Sequence, residues 1–206
     1  LLLKEGRRLR FILKKQLLGD PCLDVVGHRI PNYFVDRDSL DNKDELTNIG
    51  LLARDMADDE ALIIFPEGTR FSTEKLAKAI SALSETAPTR VKSASELRSV
   101  LPPRTAGTLA ALAESNADIV ICNHVGISDI SSLQQLRAAV PLQTQLKFKL
   151  WRTPRSEVNQ TQFVQWLDAQ WAIVDDWVTN NEDVTSPLST PASFNADETA
   201  TTIEKA

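Results

Sequence analysis

Apolar positions along the 206-residue chain recur at two different periods, and the switching between them predicts the elements. Residues 61–65 (ALIIF) are an unbroken apolar run of strand length between Glu60 and Pro66, the pattern of a strand covered on both faces. Residues 118–122 (DIVIC) read the same way. Residues 10–13 and 33–35 predict shorter strands, and residues 145–151 (QLKFKLW) alternate as an exposed or edge strand does. Helical spacing takes over in between. Across residues 41–56, Leu46, Ile49, Ala53 and Met56 share one face, and acids crowd the first turn. Leu76, Ile80 and Leu83 mark a second helix behind Ser72, a residue type suited to an N-cap. The Ala/Leu-rich stretch 105–114 predicts a third. Asn159 is placed to cap a long last helix through Val178, with Phe163, Leu167, Trp171, Val174 and Val178 as its apolar stripe. Trp166, Trp171 and Trp177 all fall on that helix; packing on a core is their expected use, ahead of a lipid- or acyl-binding surface. Residues 14–26 mix near-helical spacing (Leu17, Leu18, Leu23, Val26) with Pro21, and residues 84–95 predict a polar loop or poor helix.

Strands alternating with helices predict an α/β fold, a layered mixed sheet flanked by helices. From Glu182 onward the chain turns to Ser, Thr, Pro and Ala, with five acids and one Lys. That composition predicts a disordered acidic tail over 182–206 behind a folded unit at 1–181. Hydrophobic residues at 42% and charged residues at 25% are ordinary globular usage, which excludes a wholly disordered or collagen-like chain. No stretch approaches the roughly 18 apolar residues of a spanning helix. The net charge of −5 conceals a basic start: six Lys and Arg against one Glu in the first fifteen residues. Such a patch suits an anionic membrane surface, or is simply a solvated face. Two cysteines and two histidines, far apart, predict neither a disulfide framework nor a metal site, and fit a reducing, cytosolic setting.

Candidate chemistry gathers at Phe65-Pro66-Glu67-Gly68-Thr69-Arg70, between a predicted strand and a predicted helix. Strand C-terminal ends in α/β layers collect catalytic and anion-binding groups. Gly68 lets a ligand approach the backbone, and Arg70 can fork two hydrogen bonds to a phosphate. The plainer alternative is a turn in which Glu67 and Arg70 pair with each other.

The same six residues resemble the signature block of the glycerolipid acyltransferases, the 1-acyl-glycerol-3-phosphate acyltransferase family. A second block, Tyr33-Phe34-Val35-Asp36-Arg37-Asp38-Ser39, resembles that family's apolar pair followed by Asp-Arg, and lies upstream in the family's order. More loosely, the likeness runs from about Leu9 to Val178; Leu101-Pro102-Pro103-Arg104 and Leu150-Trp151-Arg152 are similar to one bacterial branch. The resemblance implies a glycerol-3-phosphate acyltransferase-like fold. It implies transfer of an acyl group from a thioester, acyl-CoA or acyl carrier protein, to the hydroxyl of a lysophospholipid. Arg37 and Arg70 would hold the acceptor phosphate, converging on one pocket, with Glu67, Gly68 and Thr69 shaping it. No cofactor is implied beyond the acyl-CoA or acyl-ACP co-substrate, and no nucleic acid. The setting implied is the cytoplasmic face of a membrane, peripherally bound, with any span outside this chain.

The family's general base is a His in an Asn-His-x-x-x-x-Asp block that precedes the Asp-Arg block. Nothing before Tyr33 resembles it, and His28 has no Asp at the required offset. The letters recur later, in Asn123-His124-Val125-Gly126-Ile127-Ser128-Asp129, but after the Glu-Gly-Thr-Arg block and in direct continuation of a predicted strand. His124 and Asp129 are therefore kept only as an alternative dyad. The expectation is that the catalytic block lies upstream of Leu1 and that the chain as written is inactive. Two other functions compete: a non-catalytic module binding lipid phosphate or a membrane surface, and an α/β enzyme of another class in which residues 65–70 match by coincidence.

Overall fold

The computed structural model describes residues 6–15, 29, 32–35, 43–126, 140 and 145–182. The predicted tail beyond Glu182, the mixed stretch after Lys15, His28, the Asp-Arg block at 36–39 and Asp129 lie outside the described residues. Strand β1 (Arg8–Lys14) runs between β2 (Asn32–Val35) and β3 (Glu60–Ile63), parallel to both. Phe11 stands opposite Asn32 on one side and Ile63 on the other. Strands β4 (Ile119–Val125) and β5 (Lys147–Thr153) form a separate antiparallel ribbon, with Cys122 opposite Leu150. The α/β class is as expected; among the described residues its strands divide between these two sheets.

The helices are α1 (Lys43–Arg54), α2 (Thr73–Thr86), the one-turn α3 (Val91–Ser95), α4 (Thr105–Glu114) and α5 (Phe163–Glu182). Ser72 caps α2, its hydroxyl accepting from the Lys75 amide. Asn159 caps as predicted, but the residues it caps are a tight turn at Gln160–Gln162, and regular α-helix begins at Phe163. The stretch 84–95 is more ordered than its polarity predicted: α2 runs on to Thr86, and a turn at Pro88–Arg90 leads into α3.

Two of the strand readings change. The run 61–65 was expected to be covered on both faces, yet β3 stops at Ile63 and Phe65 is 62% exposed. Pro66 has no N–H for a ladder, and Gly68 N–H instead closes a turn onto Phe65 O at 3.0 Å. The run at 118–122 is likewise one-sided. Ile121, Asn123 and Val125 are buried, whereas Val120, Cys122 and His124 face outward. A two-stranded ribbon has one packed face and one wet face, so its side chains alternate.

Helix α4 separates two apolar clusters. Ala111 packs with Val35, Ile49 and Ala53 between α1 and the parallel sheet. Leu112 packs with Ile121, Val125, Leu167, Trp171 and Val174 between the ribbon and α5. Ile49 is 1% exposed, and burying such a side chain contributes about 1.5–3 kcal/mol. Gly50 allows α1 and α4 to approach closely: a Cβ there would lie 3.0 Å from Glu114 Cγ. The tryptophans of α5 serve the core, Trp171 within it and Trp166 and Trp177 against its rim.

Two cations of the basic start, Arg8 and Arg10, are ion-paired within the chain. Arg8 makes a two-pronged ion pair with Asp59, with both contacts at 3.0 Å, and Arg10 pairs with buried Glu60. Arg7 donates to the Asp58 carbonyl at 2.7 Å. The Ala57 amide first, and then Arg10, hold the Glu60 carboxyl below its usual range.

Residues 97–104 have no regular structure, and Pro102 and Pro103 could not enter a ladder there. Side chains bind this segment instead. Asp175, 3% exposed on α5, accepts from the amides of Arg98, Ser99 and Val100 at 2.8, 2.7 and 3.2 Å. Arg90 grips Asp168 of α5 through Nε and Nη2 at 2.8 and 2.6 Å, and Nη2 also donates to Pro103 O at 2.8 Å. Removing an acceptor from buried donors costs about 1–3 kcal/mol per group. Asp175→Ala is therefore expected to lower unfolding stability by on the order of 3 kcal/mol, and Asp175→Asn, which keeps one acceptor oxygen, by clearly less. Urea unfolding of both variants checks this; equal small losses would contradict it.

Candidate functional site

Residues 64–72 connect β3 to α2, and three features fix their path. Pro66 and Gly68 occupy the second and fourth positions of the turn closed by the Phe65–Gly68 hydrogen bond, the positions each residue type favours. Gly68 has φ +66°, a conformation that side-chain-bearing residues rarely adopt. The Pro66 carbonyl accepts from the Arg104 amide at 2.9 Å, which joins this loop to the end of the 97–104 segment.

Glu67 and Arg70 go opposite ways. The Glu67 carboxylate turns inward, where Oε2 accepts from the Leu101 amide at 3.0 Å. Burial pushes its pKa above the ordinary Glu value, aided by the nearby negative charge of Asp175 and opposed by the Leu101 amide and the Trp171 indole. The indole N–H faces it without a hydrogen bond of normal geometry. Arg70 is exposed at the mouth of the loop. Lys75 reaches back from α2, its Nζ donating to Thr69 Oγ1 at 3.2 Å and to Arg70 O at 3.0 Å. The Arg104 side chain lies over Gly68, with Nε 3.5 Å from where a Cβ would stand. The acid of the Glu-Gly-Thr-Arg block is thus directed into the protein, while its cation and two neighbouring cations line the outside. A surface of this kind can hold a phosphate or another multivalent anion through charge-assisted hydrogen bonds.

Of the residues singled out from the sequence, the structure brings Glu67, Gly68, Thr69 and Arg70 together; Arg37 and Asp129 lie outside the described residues. His124 projects from the outward face of the ribbon, its ring 6.0 Å from that of Phe148. Ile121 and Val125, on the opposite face, carry the core that includes Trp171. Sequence reasoning passed over Asp175 and Arg90, and took in Arg104 only as part of the Leu101–Arg104 stretch, with no role at the site. Asp175 left a trace, as an acid on the apolar stripe four residues after Trp171 and three before Val178.

Because native Glu67 holds its proton more tightly than an exposed Glu, its contribution to stability is complete below the ordinary value of 4.5 and is lost as pH rises through the raised native value. Glu67→Gln keeps an acceptor for Leu101 without a charge. It should be as stable as the unsubstituted chain or more so at pH 7, and should flatten this part of the pH profile. Glu67→Ala leaves the Leu101 amide without its acceptor and should cost about 1–3 kcal/mol. Denaturant midpoints from pH 4 to pH 8 read both effects; a Gln variant as destabilised as the Ala variant would contradict the assignment.

The family model described as Acyltransferase matches residues 1–114. That span runs from before β1 to the end of α4, and so includes the 65–70 loop and the segment clamped against it. No curated protein and no solved structure matches the chain. No helix among the described residues is long and apolar enough to cross a membrane. A match over more than half of the chain, which includes the loop at 65–70, sets aside a coincidental likeness there: the chain belongs to the acyltransferase family and is built for acyl transfer.

Proposed function

We propose that this acyltransferase passes an acyl group from a thioester, acyl-CoA or acyl carrier protein, to the free hydroxyl of a lysophospholipid. The favoured reaction is conversion of 1-acyl-glycerol 3-phosphate to phosphatidate at a membrane surface, on the cytoplasmic side. The observation that carries the reading is the division of labour at residues 67–70: Glu67 is turned into the protein and Arg70 is left exposed. A phosphate monoester bears up to two negative charges, and an inward-facing carboxylate removes the main source of repulsion beside it. Arg70, with Arg37 from the Asp-Arg block, is assigned to the acceptor phosphate; Gly68 and Thr69 shape the floor.

In the chemical step the acceptor oxygen bonds to the thioester carbonyl carbon and the carbon–sulfur bond breaks. The hydroxyl proton passes to a general base and then to the departing thiolate. Arginine stays protonated and cannot take that proton, so Arg37 and Arg70 position and a separate base activates. A positioned base is worth about 10²–10⁴-fold. His124, on the outward face of the ribbon opposite Ile121 and Val125, is not assigned that role.

Thioester-dependent acylation of 1-acyl-glycerol 3-phosphate by the full-length encoded protein tests this. Arg70→Ala should raise the acceptor KM about tenfold or more, with a much smaller change in kcat, as expected for loss of a hydrogen bond to a charged group. An unchanged KM would remove Arg70 from the acceptor site. His124→Ala should leave kcat nearly unchanged; a drop of about 10² or more would make His124 the base.

A further inference from the structure

We infer that Arg104 is a third, previously unassigned anion-binding residue of this site, a guanidinium held over Gly68 to grip a phosphate monoester. The inference rests on the phosphate-site reading of residues 67–70 and extends it to a residue 34 positions beyond Arg70, as the numbering of the chain gives.

Backbone, packing and charge all point to it. Arg104 is fixed at its main chain, where its amide donates to Pro66 O at 2.9 Å and its carbonyl accepts from Thr108 Oγ1 at 3.3 Å. The segment leading into it is bound at Arg98, Ser99, Val100, Leu101 and Pro103, so the Cα of Arg104 has little freedom. From that anchor the side chain runs across Gly68, with Nε, Cδ and Cζ at 3.5, 3.7 and 3.8 Å from the position a Cβ would occupy. Gly68 therefore serves two ends, the positive φ of the turn and the space that the guanidinium lies in.

Most other arginines of the described chain have anionic or carbonyl partners: Arg8 with Asp59, Arg10 with Glu60, Arg54 with Glu114, Arg90 with Asp168, Arg152 with Asp118. The Arg104 guanidinium is exposed and makes no hydrogen bond or ion pair among the described residues. The two acids nearest in sequence to the loop are already engaged. Glu67 accepts from Leu101, and Glu74 is held in its charged form first by its own amide and then by Ser72, at the start of α2. The Arg104 guanidinium, without a partner among the described residues, adds its charge to a loop that carries Arg70 and Lys75, so an anion bound there would be attracted by all three. A planar fork suits the paired oxygens of a phosphate.

Two substrates of an acyl transfer bear a phosphate monoester: the acceptor headgroup and the 3′-phosphate of coenzyme A. Calorimetric titration of the purified chain separates them, using 1-hexanoyl-glycerol 3-phosphate against 1-hexanoylglycerol, and coenzyme A against its 3′-dephospho form. Arg104→Ala should weaken one of the two phosphate monoesters about tenfold or more and leave the matching phosphate-free ligand unchanged. The ligand affected identifies the source. Arg104→Lys should recover part of the loss, and neither change should shift the thermal midpoint, since the side chain makes no hydrogen bond or ion pair among the described residues. Unaltered affinity for both phosphates in Arg104→Ala, with Arg70→Ala weakened, would overturn the role of Arg104 alone. Unaltered affinity in both variants, or no binding by the unsubstituted chain, would overturn the phosphate site and this inference with it.

Discussion

The structure depends on how a stretch without regular secondary structure satisfies its backbone. Residues 97–104 cross between α3 and α4 with two consecutive prolines, and their amides and carbonyls have no ladder or helix to join. Buried backbone groups left unpaired are costly. Asp175 takes three amides, Glu67 takes one, Arg90 supplies a donor to Pro103, and Pro66 receives the amide of Arg104. Every one of these partners comes from outside the segment, so α5, the 65–70 loop and the start of α4 are fastened through it.

That arrangement decides what the loop presents to solvent. Glu67 is needed inside as an acceptor, which withdraws its charge from the surface and raises its pKa. Arg70 and Arg104 are left outside, one on the loop and one lying across it. The side chain that stabilises the fold and those assigned to ligand thus belong to the same few residues. A buried carboxylate near a second one is a weak way to gain stability, and its position here is better explained by the shape it imposes on the loop than by the energy it contributes.

Much of the fold was legible in periodicity. The stripe of α5 and the alternation of β5 follow directly from spacing, and the helix at 105–114 from its Ala/Leu-rich composition. Burial was harder to read. The apolar runs at 61–65 and 118–122 look alike in sequence to strands covered on both faces, but Phe65 and Val120 stand in solvent because a run of apolar letters does not reveal how many layers surround it. At the candidate site the loop itself could be found, since Pro66, Gly68 and Arg70 each serve a recognisable physical need. The clamp could not. Asp175, Arg90 and Arg104 lie 20 or more residues from the loop in sequence, and their pairing is a consequence of tertiary packing that no local pattern encodes. The Asp-Arg block with Arg37 is read from sequence alone, because it lies outside the described residues.

Native-state hydrogen exchange of the Leu101 and Arg104 amides tests the clamp most directly. If Glu67, Asp175 and Pro66 fasten this irregular segment as described, both amides should exchange with protection close to that of the buried face of α5, at Trp171 and Val174, and open together with it. Exchange of Leu101 and Arg104 at the rate of an exposed loop, while α5 stays protected, would contradict the account.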